Sequence, residues 1–137
     1  MLSCLLPWPV VATVAADLCR SINFGYVGPG EYLGIEGLKF GLPKAAFATP
    51  EQNPQNECFC MFQGKKREMR CSISGAYDLG GCQAGAPLII TRPHFIETQP
   101  DLSKNVDGLA PNLEEHDTYL IIEPVCLFLL LSVTHAY

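Results

Sequence analysis

Asn53-Pro54-Gln55-Asn56-Glu57-Cys58-Phe59-Cys60 leads into a segment holding four of the chain's seven cysteines: Cys58, Cys60, Cys71 and Cys82. Thiols this dense are oxidised, ligate a metal, or supply a nucleophile. Structural zinc takes paired Cys-x2–4-Cys knuckles. Cys58 and Cys60, read as alternate residues of a strand, point to opposite faces and would chelate one ion poorly. A cysteine nucleophile paired with His94 or His116 has no motif behind it, and no Gly-x-Ser-x-Gly, His-Glu-x-x-His or phosphate loop occurs. His94, between Pro93 and Phe95, reads as a packed, hydrogen-bonded histidine. Disulfides are the default. Their connectivity is open from the residues alone, and an odd count leaves at least one thiol without a partner in the chain. This density fits an oxidising compartment.

Outward from this segment, composition narrows the class. The chain has 137 residues, enough for one domain with a modest core. Charged residues make up 17% and apolar residues 48%. A net charge of −5 argues against a nucleic-acid partner, which needs a clustered basic face. Lys65, Lys66, Arg67 and Arg70 form the main basic run, interrupted by Glu68, and read as a solvated loop. Asp78, Asp101, Asp107, Glu114 and Glu115 sit in turn-like contexts and also read as solvated. No catalytic, cofactor-binding or metal-binding residue is assigned.

Glycines at 25, 28, 30, 34, 37 and 41 disfavour helix, so short strands are expected around 31–35 and 38–42, ended by Pro43. Ala45–Ala48 reads as a single helical turn. The run Pro87-Leu88-Ile89-Ile90-Thr91 reads as a buried strand. Asn112 should cap a short turn through Leu113-Glu114-Glu115, and 118–123 reads as a last strand stopped by Pro124. The fold class is mainly β, with short helices and long connections. Residues 1–16 are an apolar head in which Val14-Ala15-Ala16 suits a signal-peptide cleavage site, though no basic side chain opens it. Val125–Leu131 is an unbroken apolar run, well short of the about 20 residues a spanning helix needs.

Between Asp17 and Pro124 the chain resembles the class B scavenger receptor family: the fatty-acid translocase, the high-density-lipoprotein receptor, the lysosomal integral membrane protein, croquemort and the sensory-neuron membrane proteins. The resemblance rests on Asp17-Leu18-Cys19-Arg20-Ser21-Ile22, the Asn53–Cys60 approach, Cys71, Cys82, and Gly85-Ala86-Pro87. It continues in Pro93-His94-Phe95, Asp107-Gly108-Leu109-x-Pro111-Asn112, Glu115-His116 and Ile122-Glu123-Pro124. Each element is weak alone; their order and spacing are specific.

The resemblance implies a slice of an extracellular or luminal ectodomain, a partial antiparallel β-barrel stapled by disulfides, from a receptor of the plasma or lysosomal membrane. It implies a non-enzymatic receptor that binds and transfers fatty acids, other lipids or lipoproteins through a hydrophobic tunnel. Cys19 would pair with Cys82 and Cys60 with Cys71, leaving Cys58 unpaired because its family partner lies upstream. Residues 17–124 would be the receptor-derived part. The head (1–16) and tail (125–137) match nothing in the family's motifs, and a truncated gene model accounts for that. Unpaired strand edges and an exposed apolar face then imply that such a fragment does not fold stably alone. Two other readings also fit the residues: a small secreted disulfide-stapled binding module, and a zinc-binding or thiol enzyme.

Overall fold

Strict alternation sets the first long strand: Arg20, Ile22 and Phe24 are buried while Ser21 and Asn23 are exposed. The computed structural model describes residues 10–59, 62–63, 68–69, 73–125 and 128–133. Strand β1 (Val10–Ala15) pairs antiparallel with β2 (Arg20–Tyr32), which turns back into β3 (Ile35–Gly41). Two-residue ladders β4 (Phe62–Gln63) and β5 (Glu68–Met69) follow, then β6 (Ala76–Asp78) and β7 (Ile89–Thr91). The four-residue helix α1 (Leu113–His116) precedes β8 (Tyr119–Glu123) and β9 (Phe128–Val133). The main sheet is antiparallel throughout, in the order β1-β2-β3-β8-β9. The fold is therefore mainly β, an open piece of barrel wall with few short helices. Its two outermost strands, β1 and β9, lie in the head and tail segments that the motifs left unmatched.

The glycines of β2 and β3 lie inside the strands. The turn that interrupts the expected 31–35 strand is Leu33-Gly34, where both φ angles are positive, 52° and 81°. Such a two-residue turn matches the twist of a hairpin, but leucine gives no sequence signal for it. Gly30 and Gly37 face each other across the ladder. A Cβ on Gly37 would come within 2.9 Å of both Ile121 Cγ2 and the Ile122 carbonyl oxygen. The two glycines thus open the slot into which Ile121 of β8, 4% exposed, fits.

One face of the sheet carries the core. Ile22, Phe24, Phe40 and Leu120 meet Leu42, Ala46, Phe47, Tyr77 and Leu79 from the long connection between β3 and β8. Complete burial of each side chain would be worth about 1.5–3 kcal/mol. That connection begins with a 3₁₀ turn, Lys44–Phe47, where the single helical turn was expected, and Phe47 stacks on Tyr77 with centroids 6.1 Å apart. Asn112 caps α1 by accepting the Glu114 N–H at 3.1 Å.

Two local expectations are corrected. The 87–91 run gives only a three-residue strand, with Leu88 and Ile89 49% and 65% exposed; among the described residues β7 pairs with β6 alone, and the two-stranded ladder leaves one face in solvent. Cys58 does not lie in a strand. Pro54–Phe59 forms a 3₁₀ helix, with proline in its first position, where a missing N–H costs nothing.

Gly75 holds the junction between β6 and residues 97–99. Its φ is +84°, and a Cβ there would sit 2.7 Å from the Glu97 carbonyl oxygen and 2.9 Å from Thr98 Cα. Both obstacles are backbone. Gly75→Ala is expected to cost more than about 2 kcal/mol, read as a lower urea midpoint with unchanged slope.

Candidate functional site

The cysteine segment docks onto the start of β2, and the disulfide is one of several ties there. Cys19, in the left-handed conformation (φ 49°), links to Cys82 with Cα atoms 5.9 Å apart, joining positions 63 residues apart in the chain. Gln83 Nε2 donates to the Asp17 carbonyl at 2.8 Å, and the Tyr77 hydroxyl donates to the Leu18 carbonyl at 3.2 Å. Cys58 is exposed and unpaired; its Sγ lies 3.6 Å from the Gln55 carbonyl. Cys60 and Cys71, like Cys4, Cys126 and the basic residues Lys65, Lys66, Arg67 and Arg70, lie outside the described residues.

Beneath the bridge sits a buried cation. Arg20 is 8% exposed, and its guanidinium lies 4.2, 5.1 and 5.6 Å from the ring centroids of Phe59, Tyr77 and Phe47. A desolvated cation over aromatic faces gains about 2 kcal/mol or more. Arg20 Nη2 donates to Asn56 Oδ1 at 3.2 Å, while Nε has no hydrogen-bond partner. Asn56 Nδ2 faces the carbonyls of Ala45, Ala46 and Ala48 at 3.0, 3.3 and 2.8 Å. An amide has two N–H donors, so one is shared. The second asparagine of the opening motif therefore locks the 3₁₀ turn at 44–47 to the arginine of the Asp-Leu-Cys-Arg motif.

Burial pushes the Arg20 guanidinium down from its ordinary value, with Tyr77 and Cys58 opposing that shift. Burial likewise pushes the Tyr77 phenol up, and Arg20 offsets part of it. The raised phenol makes a pH prediction. The folded state holds this proton more tightly than the unfolded chain, whose tyrosine titrates near pH 10. Stability from this group is fully present below that pH and falls as pH rises through the folded value. Arg20's shift has the opposite sign but acts only around its own much higher range. Tyr77→Phe is expected to lose about 1 kcal/mol at pH 8, from the bond to Leu18, and to show a shallower decline in urea-unfolding free energy from pH 9 to 11.

A second cluster organises the later motifs. Arg92, 6% exposed, donates to the Leu42 carbonyl and to Glu97, and reaches Asp117 Oδ1 at 3.1 Å. Lys44 pairs with Glu97 at 3.0 Å. Next to it, the rings of His94 and His116 stack with centroids 4.0 Å apart at an interplanar angle of 18°. The Ala110 N–H donates to His94 Nδ1 and the Asn112 N–H to His116 Nδ1, both at 3.2 Å. The histidines are thus tied to backbone and to each other. Among the described residues no group of three or more His, Cys, Asp or Glu side chains is placed to hold a metal.

Both clusters could be read only in part from the sequence. The alternation of Ile22 and Phe24 with Ser21 and Asn23 was the available signal that Arg20, in the same phase, points inward. Nothing in the spacing of His94 and His116 signalled the stack.

The arrangement has counterparts. The CD36 family model matches residues 9–130. The chain belongs to the CD36 family. It is 37% identical over 109 residues to scavenger receptor class B member 1 of Sus scrofa, covering 80% of this chain and 20% of that protein. It is 31% identical over 114 residues to sensory neuron membrane protein 2 of Aedes aegypti, covering 81% and 21%. The same protein of Heliothis virescens is 34% identical over 116 residues, covering 84% and 22%. The chain spans about a fifth of the length of these curated relatives. In this CD36-family chain, Arg20, Asn56, Cys19, Cys82, His94 and His116 each fall in one of the motifs that carried the resemblance. Every one of them makes a contact between segments distant in sequence. Among the described residues no helix is long and apolar enough to cross a membrane.

Proposed function

We propose that this segment is a wall element of a membrane receptor ectodomain that binds lipids or lipoproteins and passes lipid onward through a tunnel without chemistry. The family match over most of the chain carries this reading. Physical support comes from the contacts just described: the motif residues act as staples and clamps and are used up in holding the wall together. A dry apolar conduit suits lipid cargo, because each methylene kept out of water is worth about 0.8 kcal/mol. The segment lies on the extracellular or luminal side of a plasma or lysosomal membrane, consistent with a disulfide. Within this reading Cys60 pairs with Cys71, and Cys58 has its partner elsewhere in the whole receptor.

A chimera tests the proposal. Residues 17–124 replace the matching segment of a full-length class B scavenger receptor in cells, and uptake of a fluorescent fatty acid is measured. Surface display with uptake of at least half the parent's level supports the reading. A chimera displayed normally that transfers no lipid contradicts it.

A further inference from the structure

Two histidines share one clasp, and its hydrogen bonds fix their protonation state. Each Nδ1 accepts a backbone N–H, from Ala110 to His94 and from Asn112 to His116. An imidazole whose Nδ1 accepts must be neutral and carry its proton on Nε2. The two rings are stacked 4.0 Å apart. A proton added to either Nδ1 from solvent would turn that acceptor into a donor facing a donor, and break its bond. A proton on both would set two cations in face-to-face contact.

The backbone on one side is under tension. His94, Phe95 and Glu97 all have positive φ, at 53°, 55° and 63°. Non-glycine residues held this way cost about 1–3 kcal/mol each and persist only where the surroundings hold them. The clasp is one of those holding contacts. On the other side, Asn112 and His116 bracket a helix of four residues, too short to be stable by itself.

We propose that the His94–His116 stack is an acid-sensitive clasp joining the 93–97 turn to the 110–116 segment, closed when both imidazoles are neutral and opened by protonation. Among the described residues, charged groups flank both sides of it. Arg92, Glu97 and Lys44 lie on the His94 side, with Arg92 bonded to Glu97 and Asp117 and Lys44 to Glu97. Glu114, Glu115 and Asp117 adjoin His116 along the chain. Asp107 lies in the loop before Ala110, and Lys104 there is paired with Asp101. The carboxylates supply counter-charge to an imidazolium released into solvent. The closed form binds fewer protons than the open one, so the contact strengthens as pH rises through the histidine range and is lost as pH falls through it.

The test uses the oxidised full chain and amide hydrogen exchange by NMR at pH 7.5 and 5.0, corrected for intrinsic exchange. The Ala110 and Asn112 amides should lose at least about 30-fold protection at pH 5.0, the change set by one reference imidazole in the open form. The Phe40 amide in β3 should not. A double variant, H94N with H116N, keeps a side-chain oxygen as acceptor without a titrating group, and should hold its protection at both pH values. Equal protection of wild-type Ala110 and Asn112 at both pH values overturns the proposal. So does a matching loss at Phe40, or the same pH dependence in the variant. If the variant is unprotected at both pH values, ¹⁵N shifts of the wild-type imidazoles decide. Unprotonated Nδ1 on both histidines at pH 7.5, with protonation at pH 5.0 tracking amide loss, supports the clasp; an Nδ1–H tautomer at pH 7.5 overturns it.

Discussion

Cys82→Ser is expected to leave the chain unfolded at 25 °C under conditions where the oxidised parent shows a cooperative urea transition. The bridge closes a loop between positions 63 apart. Loop entropy alone assigns such a link about 4 kcal/mol, a large share of the stability of a small domain. The ties beside it depend on it too. Gln83 to Asp17 and Tyr77 to Leu18 hold the same two segments together, and neither bond, at about 1 kcal/mol, offsets the lost link. Reduction of the wild type should reproduce the variant's far-ultraviolet spectrum. A reduced chain that keeps a transition within about 1 kcal/mol of the oxidised one would show that the bridge is incidental.

Asn56→Leu is expected to be nearly as damaging, with a loss of about 3 kcal/mol or more. The side chain is 5% exposed and serves three carbonyls and one guanidinium. Leucine fills a similar volume and satisfies none of them. Each buried group left without a partner costs about 1–3 kcal/mol, and more when charged. Arg20 already has one nitrogen without a partner, so the variant would leave a buried cation with aromatic faces alone. Asn56→Asp separates the terms: it restores an acceptor for Arg20 but removes the donors to Ala45, Ala46 and Ala48. Its stability should fall between wild type and Asn56→Leu, and should drop as the new carboxylate is protonated below about pH 4. The urea midpoints of the three proteins check the order.

The fold class was legible because strand signals and turn residues dominate the chain. The last strand was legible for the same reason: Thr118-Tyr119-Leu120-Ile121-Ile122 is β-rich and ends at Pro124, and β8 covers Tyr119–Glu123. The hairpin was harder. Glycines read as breaks are the positions that let β2 and β3 admit Ile121, so their role depends on a neighbour distant in sequence. Leu33 in the left-handed conformation gave no warning of the turn. Cys58 was read with Cys60 as strand, but Asn56 organises its segment through carbonyls 8 to 11 residues earlier, a tertiary effect that periodicity does not carry. The motifs marked which residues matter without marking why. Arg20 with Asn56, and His94 with His116, become pairs only in three dimensions.

The fold depends on the cysteine segment being stapled back to the start of β2. Peptide mapping of the oxidised chain by mass spectrometry, without reduction and with alkylation of remaining thiols, tests this most directly. The peptide containing Cys19 should be recovered joined to the peptide containing Cys82, with Cys58 alkylated. Recovery of Cys19 joined to Cys58 or to any other cysteine, or alkylated itself, would contradict the arrangement described.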